Sequence, residues 1–193
     1  MKPNLTYSKA IDTAIKLRDE NKLNEAIKMY SIAIELKPND FLGQLYRGDV
    51  WCELQEYSNA LIDFKNAAKE NKISHLHYSR IGNLYYEQGK YEEAIKSLDQ
   101  SIKKNKNNPE AWNVKGMCSF QQKKYSKCIE EYSQAIEQNN ESHSIKNKSV
   151  YLSNRAEAFN KLKNYKEATT DLNLAIKLDK NNAFAKEIKL LLP

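Results

Sequence analysis

Apolar residues along the 193-residue chain recur at spacings of three and four, with small residues set among large ones. In Tyr91 to Ile102, YEEAIKSLDQSI, Ala94 follows Tyr91 by three positions and Leu98 follows by four more, then Ser101 and Ile102. That spacing predicts an amphipathic helix with a small residue in the middle of its apolar face. The phrase recurs as LNEAIKMYSIAI from Leu23, YSNALIDFKNAA from Tyr57, YSKCIEEYSQAI from Tyr125 and YKEATTDLNLAI from Tyr165. The first four starts are 34 residues apart and the last step is 40. A fixed period of this length marks a stacked-repeat architecture. Few short runs alternate in the manner of strands, and Gly and Pro number only 5 and 4. The expected class is all-α.

Each phrase is the second helix of a pair, and an amphipathic stretch precedes it. The pairs fall at 7–40, 41–74, 75–108, 109–142 and 149–182, within a single domain spanning 1–193. Pro38 stops the second helix of the first pair, and Pro109 suits a first helical turn. Residues 143–148 break the period as an insertion. Ile145, Ser149, Leu152, Ala156 and Phe159 continue one helical face through it, so the fifth pair's first helix is expected to begin near Ser144. Ser142 or Ser144 would cap it, and Ile145 would lie against the preceding second helix. A last amphipathic piece over 183–192, with Phe184, Ile188 and Leu191 on one face, is expected to cap the stack. Small residues (Ala14, Gly48, Gly82, Gly116 and Ala156) are expected to meet Ala26, Ala60, Ala94, Cys128 and Ala168 where the helices of a pair cross.

These residues resemble the tetratricopeptide repeat, whose first helix carries W-x2-L-G-x2-Y and whose second carries A-x3-F followed by a proline. Tyr78-x2-Ile81-Gly82-x2-Tyr85 and Trp112-x2-Lys115-Gly116 are similar to the first half. Ala26-x3-Tyr30, Ala60-x3-Phe64 and Cys128-x3-Tyr132 are similar to the second. The resemblance covers Tyr7 to Asn182 in five copies. It implies a right-handed α-solenoid whose first helices line a concave groove that grips a peptide or helix of a partner protein.

Helical spacing selects the residues that would project into that groove. They are Ile11, Ile15 and Arg18; Leu45, Asp49 and Cys52; Ser79, Asn83 and Tyr86; Asn113, Met117 and Phe120; Ser153, Glu157 and Asn160. Tyr46, Arg80 and Asn154 would lie at its edge. Asn83, Asn113, Asn154 and Asn160 suit a peptide backbone, while Tyr46, Tyr86, Met117 and Phe120 suit apolar pockets. Acid (Asp49, Glu53, Glu87, Glu110, Glu157) outnumbers base (Arg18, Arg80, Lys161) there. The positive excess is therefore expected on the opposite side. Members of the family that clamp the C-terminal carboxylate of heat-shock chaperones spread Lys, Asn and Arg over three successive first helices. Asn83, Arg80 and Asn154 are similar to single members of that set, but its lysines are missing. A co-chaperone role is the alternative to a general adaptor or a subunit of a larger assembly.

The formal charge of +6 raises the possibility of nucleic acid. The basic residues are mostly Lys dispersed among acids, the pattern of a solvated helix face, so an RNA-associated protein is the lesser alternative. Three cysteines, Cys52, Cys118 and Cys128, cannot all pair within one chain and suit a reducing compartment. No apolar run approaches the length of a bilayer span, and the N-terminus lacks a signal peptide's apolar stretch, so a cytoplasmic location without membrane insertion is expected. His75 and His77 form H-x-H without cysteine pairs nearby, and the Gly89-Lys90 stretch lacks the spacing of a phosphate loop. The expectation is no enzyme, metal or cofactor.

Overall fold

The computed structural model describes residues 5–70, 75–139 and 144–193. Among these, the chain forms eleven helices and no strand. They are α1 (Tyr7–Asp19), α2 (Leu23–Leu36), α3 (Phe41–Glu53), α4 (Tyr57–Glu70), α5 (Leu76–Glu87), α6 (Tyr91–Lys104), α7 (Pro109–Gln121), α8 (Tyr125–Gln138), α9 (Ile145–Lys161), α10 (Tyr165–Leu178) and α11 (Ala183–Leu190). The chain divides into two compact units, Met1–Leu84 and Tyr85–Pro193. In the first, α1 packs on α2, α2 on α3 and α3 on α4. In the second, each helix from α6 to α11 packs on the next.

Every turn within a pair is built alike. Asn21, Gln55, Gly89, Lys123 and Lys163 all have positive φ, between 58° and 71°. At each, the following amide reaches back to a carbonyl five residues earlier: Lys22 to Leu17, Glu56 to Trp51, Lys90 to Tyr85, Lys124 to Ser119 and Asn164 to Phe159, all at 2.8–2.9 Å. These are Schellman closures, which satisfy the last carbonyls of a helix with one left-handed residue. Only one of the five sites carries the residue best suited to that conformation, Gly89.

Four of the helices, α1, α3, α7 and α11, begin on a side-chain cap. Thr6 accepts from the Lys9 amide, Asp40 from Leu42, Asn108 from Ala111 and Asn182 from Ala185. Asn108 also donates to Ser101 at 2.9 Å. Asn182 also donates to Ser149 and Ser153, at 2.8 and 2.9 Å, tying the start of α11 to α9.

The small residues are buried, but at two of the crossings it is an aromatic ring that they admit. A Cβ on Gly48 would meet Phe64 at 2.4 Å, and one on Gly116 would meet Tyr132 at 2.6 Å. Each glycine makes room for the large residue one turn further along the second helix than Ala60 or Cys128. Ala14, Ala26, Ala60, Ala94, Ala156 and Ala168 are fully buried.

A polar joint that the apolar pattern does not reveal links neighbouring helices. Arg47 on α3 forks onto Asp63 of α4 at 2.8 and 2.7 Å and donates its third bond to Ser31 of α2 at 2.8 Å. Arg155 on α9 repeats the arrangement with Asp171 of α10, at 2.7 and 2.8 Å, and Ser133 of α8, at 2.9 Å. At the same position, Lys115 on α7 sits 2.7 Å from Asp99 of α6, and Lys189 on α11 bonds Asn173 of α10 at 2.7 Å. In each full joint the acid lies 16 residues after its cation, one helix on.

Helix α9 begins at Ile145, with Ser144 at the capping position, so residues 145–148 are helical. Two details of the expectation are corrected. Ser144 makes no side-chain cap bond, and its carbonyl instead accepts from Asn139 at 3.3 Å. Ile145 is 65 % exposed and does not lie against α8, because the added turn presents Lys148 and Ser149, not Ile145, toward the protein. Residues 140–143, including Ser142 and His143, lie outside the described residues. In α11, Ala185 and Ile188 are buried against Leu152, Ala156, Ala168, Leu172 and Ala175. The expected face is rotated: Phe184 and Leu191 are exposed, and Leu190, in the place of Ala156 one period on, is 86 % exposed.

Candidate protein-binding face

In the first unit, the first helices α1, α3 and α5 present paired charges. Arg18 donates through Nε to Glu53 at 2.7 Å, with a second, shorter contact from Nη2. Arg80 lies 2.7 Å from Asp49. Burial raises the Asp49 carboxyl above the ordinary carboxylate value, against the pull of Arg80 and Arg18. Two of the acids expected on this face, Asp49 and Glu53, are thus neutralised by its two arginines. Tyr46 is half-buried, with its ring 6.0 Å from that of Tyr30 and packed against Ala14, Ala26 and Val50. Leu45 does not project, being 3 % exposed in the core. Ser79 is half-buried, and Asn83 is exposed.

In the second unit, Tyr86 packs beside Tyr91, with ring centroids 5.9 Å apart, and burial raises its phenol above the ordinary value. The side chains of α7 and α9 meet through Asn154, which donates to Asn113 at 2.9 Å. Asn113 is buried, and among the described residues its own amide has only the Met117 sulfur as acceptor, at 3.5 Å. The Asn154 carbonyl oxygen has no protein partner among the described residues. Met117 and Phe120 pack half-buried against Cys128, Tyr132 and Ala158, and Phe120 meets Tyr125 edge-on at 5.4 Å. Glu157 stands one turn beyond Asn154 on α9, half-buried, and burial raises its carboxyl while Lys161 pulls the other way. Ser153 is fully buried and bonds the Ser149 carbonyl, which takes it out of the expected groove.

The second unit thus brings together Asn113, Met117, Asn154 and Glu157 on neighbouring first helices. In the first unit Asp49 is joined to Arg80. Buried thiols do not add reactivity: burial pushes Cys118 and Cys128 each up to about 12, and Cys128 donates to the Tyr125 carbonyl. Among the described residues, no group of three or more His, Cys, Asp and Glu is placed to hold a metal ion, and no helix is long and apolar enough to cross a membrane. What sequence reasoning missed is the joint cations Arg47, Lys115 and Arg155. They occupy the slot just before the small residue of the first helix. Their signal was the recurring acid 16 residues on, at Asp63, Glu131 and Asp171.

Residues 82–116 match a TPR repeat, and 109–142 and 150–182 each match a tetratricopeptide repeat. YrrB, a TPR protein with an unusual peptide-binding site, superposes with a TM-score of 0.69 at 19 % identity, over 98 % of this chain and 94 % of that one. The Cut9-Hcn1 hetero-tetramer of APC/C gives 0.84 at 20 % identity, over 99 % of this chain and 37 % of that one. PilF of Pseudomonas aeruginosa gives 0.77 at 17 % identity, over 96 % and 90 %. No curated protein matches the chain in sequence.

The chain is a tetratricopeptide repeat protein, an all-α solenoid of antiparallel helix pairs. Its fold is that of a protein-interaction adaptor or scaffold, a class that is generally non-catalytic and whose partners are proteins.

Proposed function

We propose that the chain is an adaptor that holds an extended segment of a partner protein along the first helices of its second unit. The observation that carries this is the Asn154–Asn113 bond at 2.9 Å. It fixes two amides on neighbouring helices and leaves the Asn154 carbonyl free to accept a backbone N–H. An amide held in place by a neighbour loses little side-chain freedom on binding. Met117 and Phe120 supply apolar surface beside it. The extended-peptide mode needs this combination of backbone partners and side-chain pockets. The peptide-binding site named for YrrB is a property of that protein, but it is consistent with this use of the fold.

The co-chaperone alternative gains no support from the charges. Arg80, one of its three matching residues, is engaged by Asp49. Asn83 and Asn154 alone offer a carboxylate no charge-assisted donor.

Selection of a random peptide library on the immobilised full chain tests the proposal, followed by calorimetry on the selected peptides. Peptides should bind the wild type and lose about tenfold or more in affinity on Asn154→Ala or Phe120→Ala. Selected peptides that bind both variants as well as the wild type would sink it, as would failure to select any.

A further inference from the structure

The cleft between α7 and α8 is built like the polar joints of the second and fifth pairs, but two polar groups in it lack hydrogen-bond partners among the described residues. In those two pairs the acid of the second helix receives both arms of a guanidinium, Arg47 onto Asp63 and Arg155 onto Asp171. In the fourth pair the cation is Lys115, a point charge without a fork, and it turns to Asp99 at 2.7 Å. It stays 3.9 Å from Glu131, and Lys127 stays 4.0 Å away, both beyond hydrogen-bonding distance.

Glu131 is 4 % exposed. Its Oε2 accepts from Ser119, and its Oε1 has no hydrogen-bond partner among the described residues. Both Glu131 and Trp112 line an open cleft of about 570 Å³, and the indole Nε1 of Trp112 is buried without an acceptor. The cleft in the fifth pair, lined by Arg155 and Asp171 themselves, is about 290 Å³. The fourth pair therefore sets an unused carboxylate oxygen and an unused N–H donor, both buried in this structure, on residues that line an open cleft.

We propose that the α7–α8 cleft is a receptor for an arginine side chain of a partner protein, its guanidinium bonding Glu131 and a backbone carbonyl accepting from Trp112. Arginine fits better than lysine because the other two joints show which shape the site closes around: a planar fork that serves an acid on one helix and a hydroxyl on another. Burial also holds the Glu131 carboxyl above its ordinary range, the condition a bound cation would relieve. This cleft involves none of the residues of the first-helix face, so it stands or falls independently of the reading above.

The test is a titration of the full chain with N-acetyl-arginine amide, followed by NMR of the tryptophan indoles. The chain has two tryptophans, so Trp51 serves as the internal reference. The Trp112 signal should move and saturate while Trp51 stays still. The neutral isostere N-acetyl-citrulline amide should not produce the saturating shift. Glu131→Gln should weaken arginine amide by about tenfold or more. Lys115→Arg should fill the slot from within, abolishing the saturable shift while raising the melting temperature. Should Glu131→Gln fail to fold, the Lys115→Arg variant decides alone. A non-saturating shift, equal binding of the citrulline amide, or unchanged binding by Lys115→Arg overturns the proposal.

Discussion

Arg155 grips Asp171 with two parallel N–H donors while its third bond reaches Ser133 on the helix before, so one side chain ties three successive helices together. Asp171 is 5 % exposed. Removing its partner would leave a largely buried carboxylate without its two charge-assisted bonds. Arg155→Ala should therefore destabilise by about 3 kcal/mol or more, whereas Arg155→Met with Asp171→Leu should recover most of the loss. Urea unfolding of the single and double variants checks this, and equal losses in both would refute it.

The turns offer stability in the opposite direction. Gln55, Lys123 and Lys163 hold left-handed backbone without a glycine's freedom, at φ of 60° to 62°. Left-handed backbone costs a side-chain-bearing residue about 1–2 kcal/mol. Each residue replaced by Gly should raise stability by about 0.5–1 kcal/mol, after the entropy that glycine adds to the unfolded chain. The triple variant should show the near-sum, because the sites are separate. Thermal melts of the four variants against the wild type give the answer.

Gly116→Ala should lower stability by about 1–3 kcal/mol, through overpacking against Tyr132. Gly89→Ala has open space around its Cβ, so its loss, about 1 kcal/mol, should come from φ of +71° alone. The distinguishing measurement is a second substitution, Tyr132→Leu, which should soften the first defect and leave the second unchanged.

Acidification should strengthen part of the protein. Burial raises Glu131, Glu157 and Asp49 above their ordinary values. An acid with a raised folded pKa binds its proton more tightly in the folded state. Its contribution is full below the ordinary value, 4.5 for Glu131, and is lost as pH rises through the raised one. The unfolding free energy of the wild type should thus fall across that window as pH rises, and Glu131→Gln should fall less steeply. Denaturant titrations at a series of pH values, compared between the two proteins, would show parallel slopes if the argument fails.

Deleting residues 183–192 should uncover the apolar side of the fifth pair, where Ala185 and Ile188 now lie, and remove the Ala185 amide that Asn182 caps. A clear fall in melting temperature, or aggregation, is the expected result. Ile188→Ala alone should cost about 2–4 kcal/mol. An unchanged melting curve for the shortened protein would mean that α11 does not cap the stack.

The period of 34 and the small-among-large spacing made the helix pairs readable, because apolar burial leaves a repeating mark on one face of each helix. The continuous face through Ile145 and Ser149 likewise pointed to a helical start near Ser144. Ile145 itself was misplaced because periodicity gives a face and not the extent of the neighbour that covers it. The left-handed turn residues escaped notice because four of five are not glycine. The pairing of Arg18 with Glu53 and of Arg80 with Asp49 was hidden for another reason. These contacts join helices one period apart, where sequence spacing says little about rotamers. Arg47, Lys115 and Arg155 fall in a slot where the family pattern leads one to expect an apolar residue.

The joint at Arg155 also bears on how such a chain tolerates change in length. Arg47 reaches a serine 16 residues back at 2.8 Å, and Arg155 reaches one 22 residues back at 2.9 Å, so six extra residues leave the bond as it was. The contact at this joint is thus the same with the longer link between α8 and α9 as with the shorter one between α2 and α3. Foreign sequence grafted there, a reporter peptide or a cleavage site, should be carried without disturbing the stack on either side.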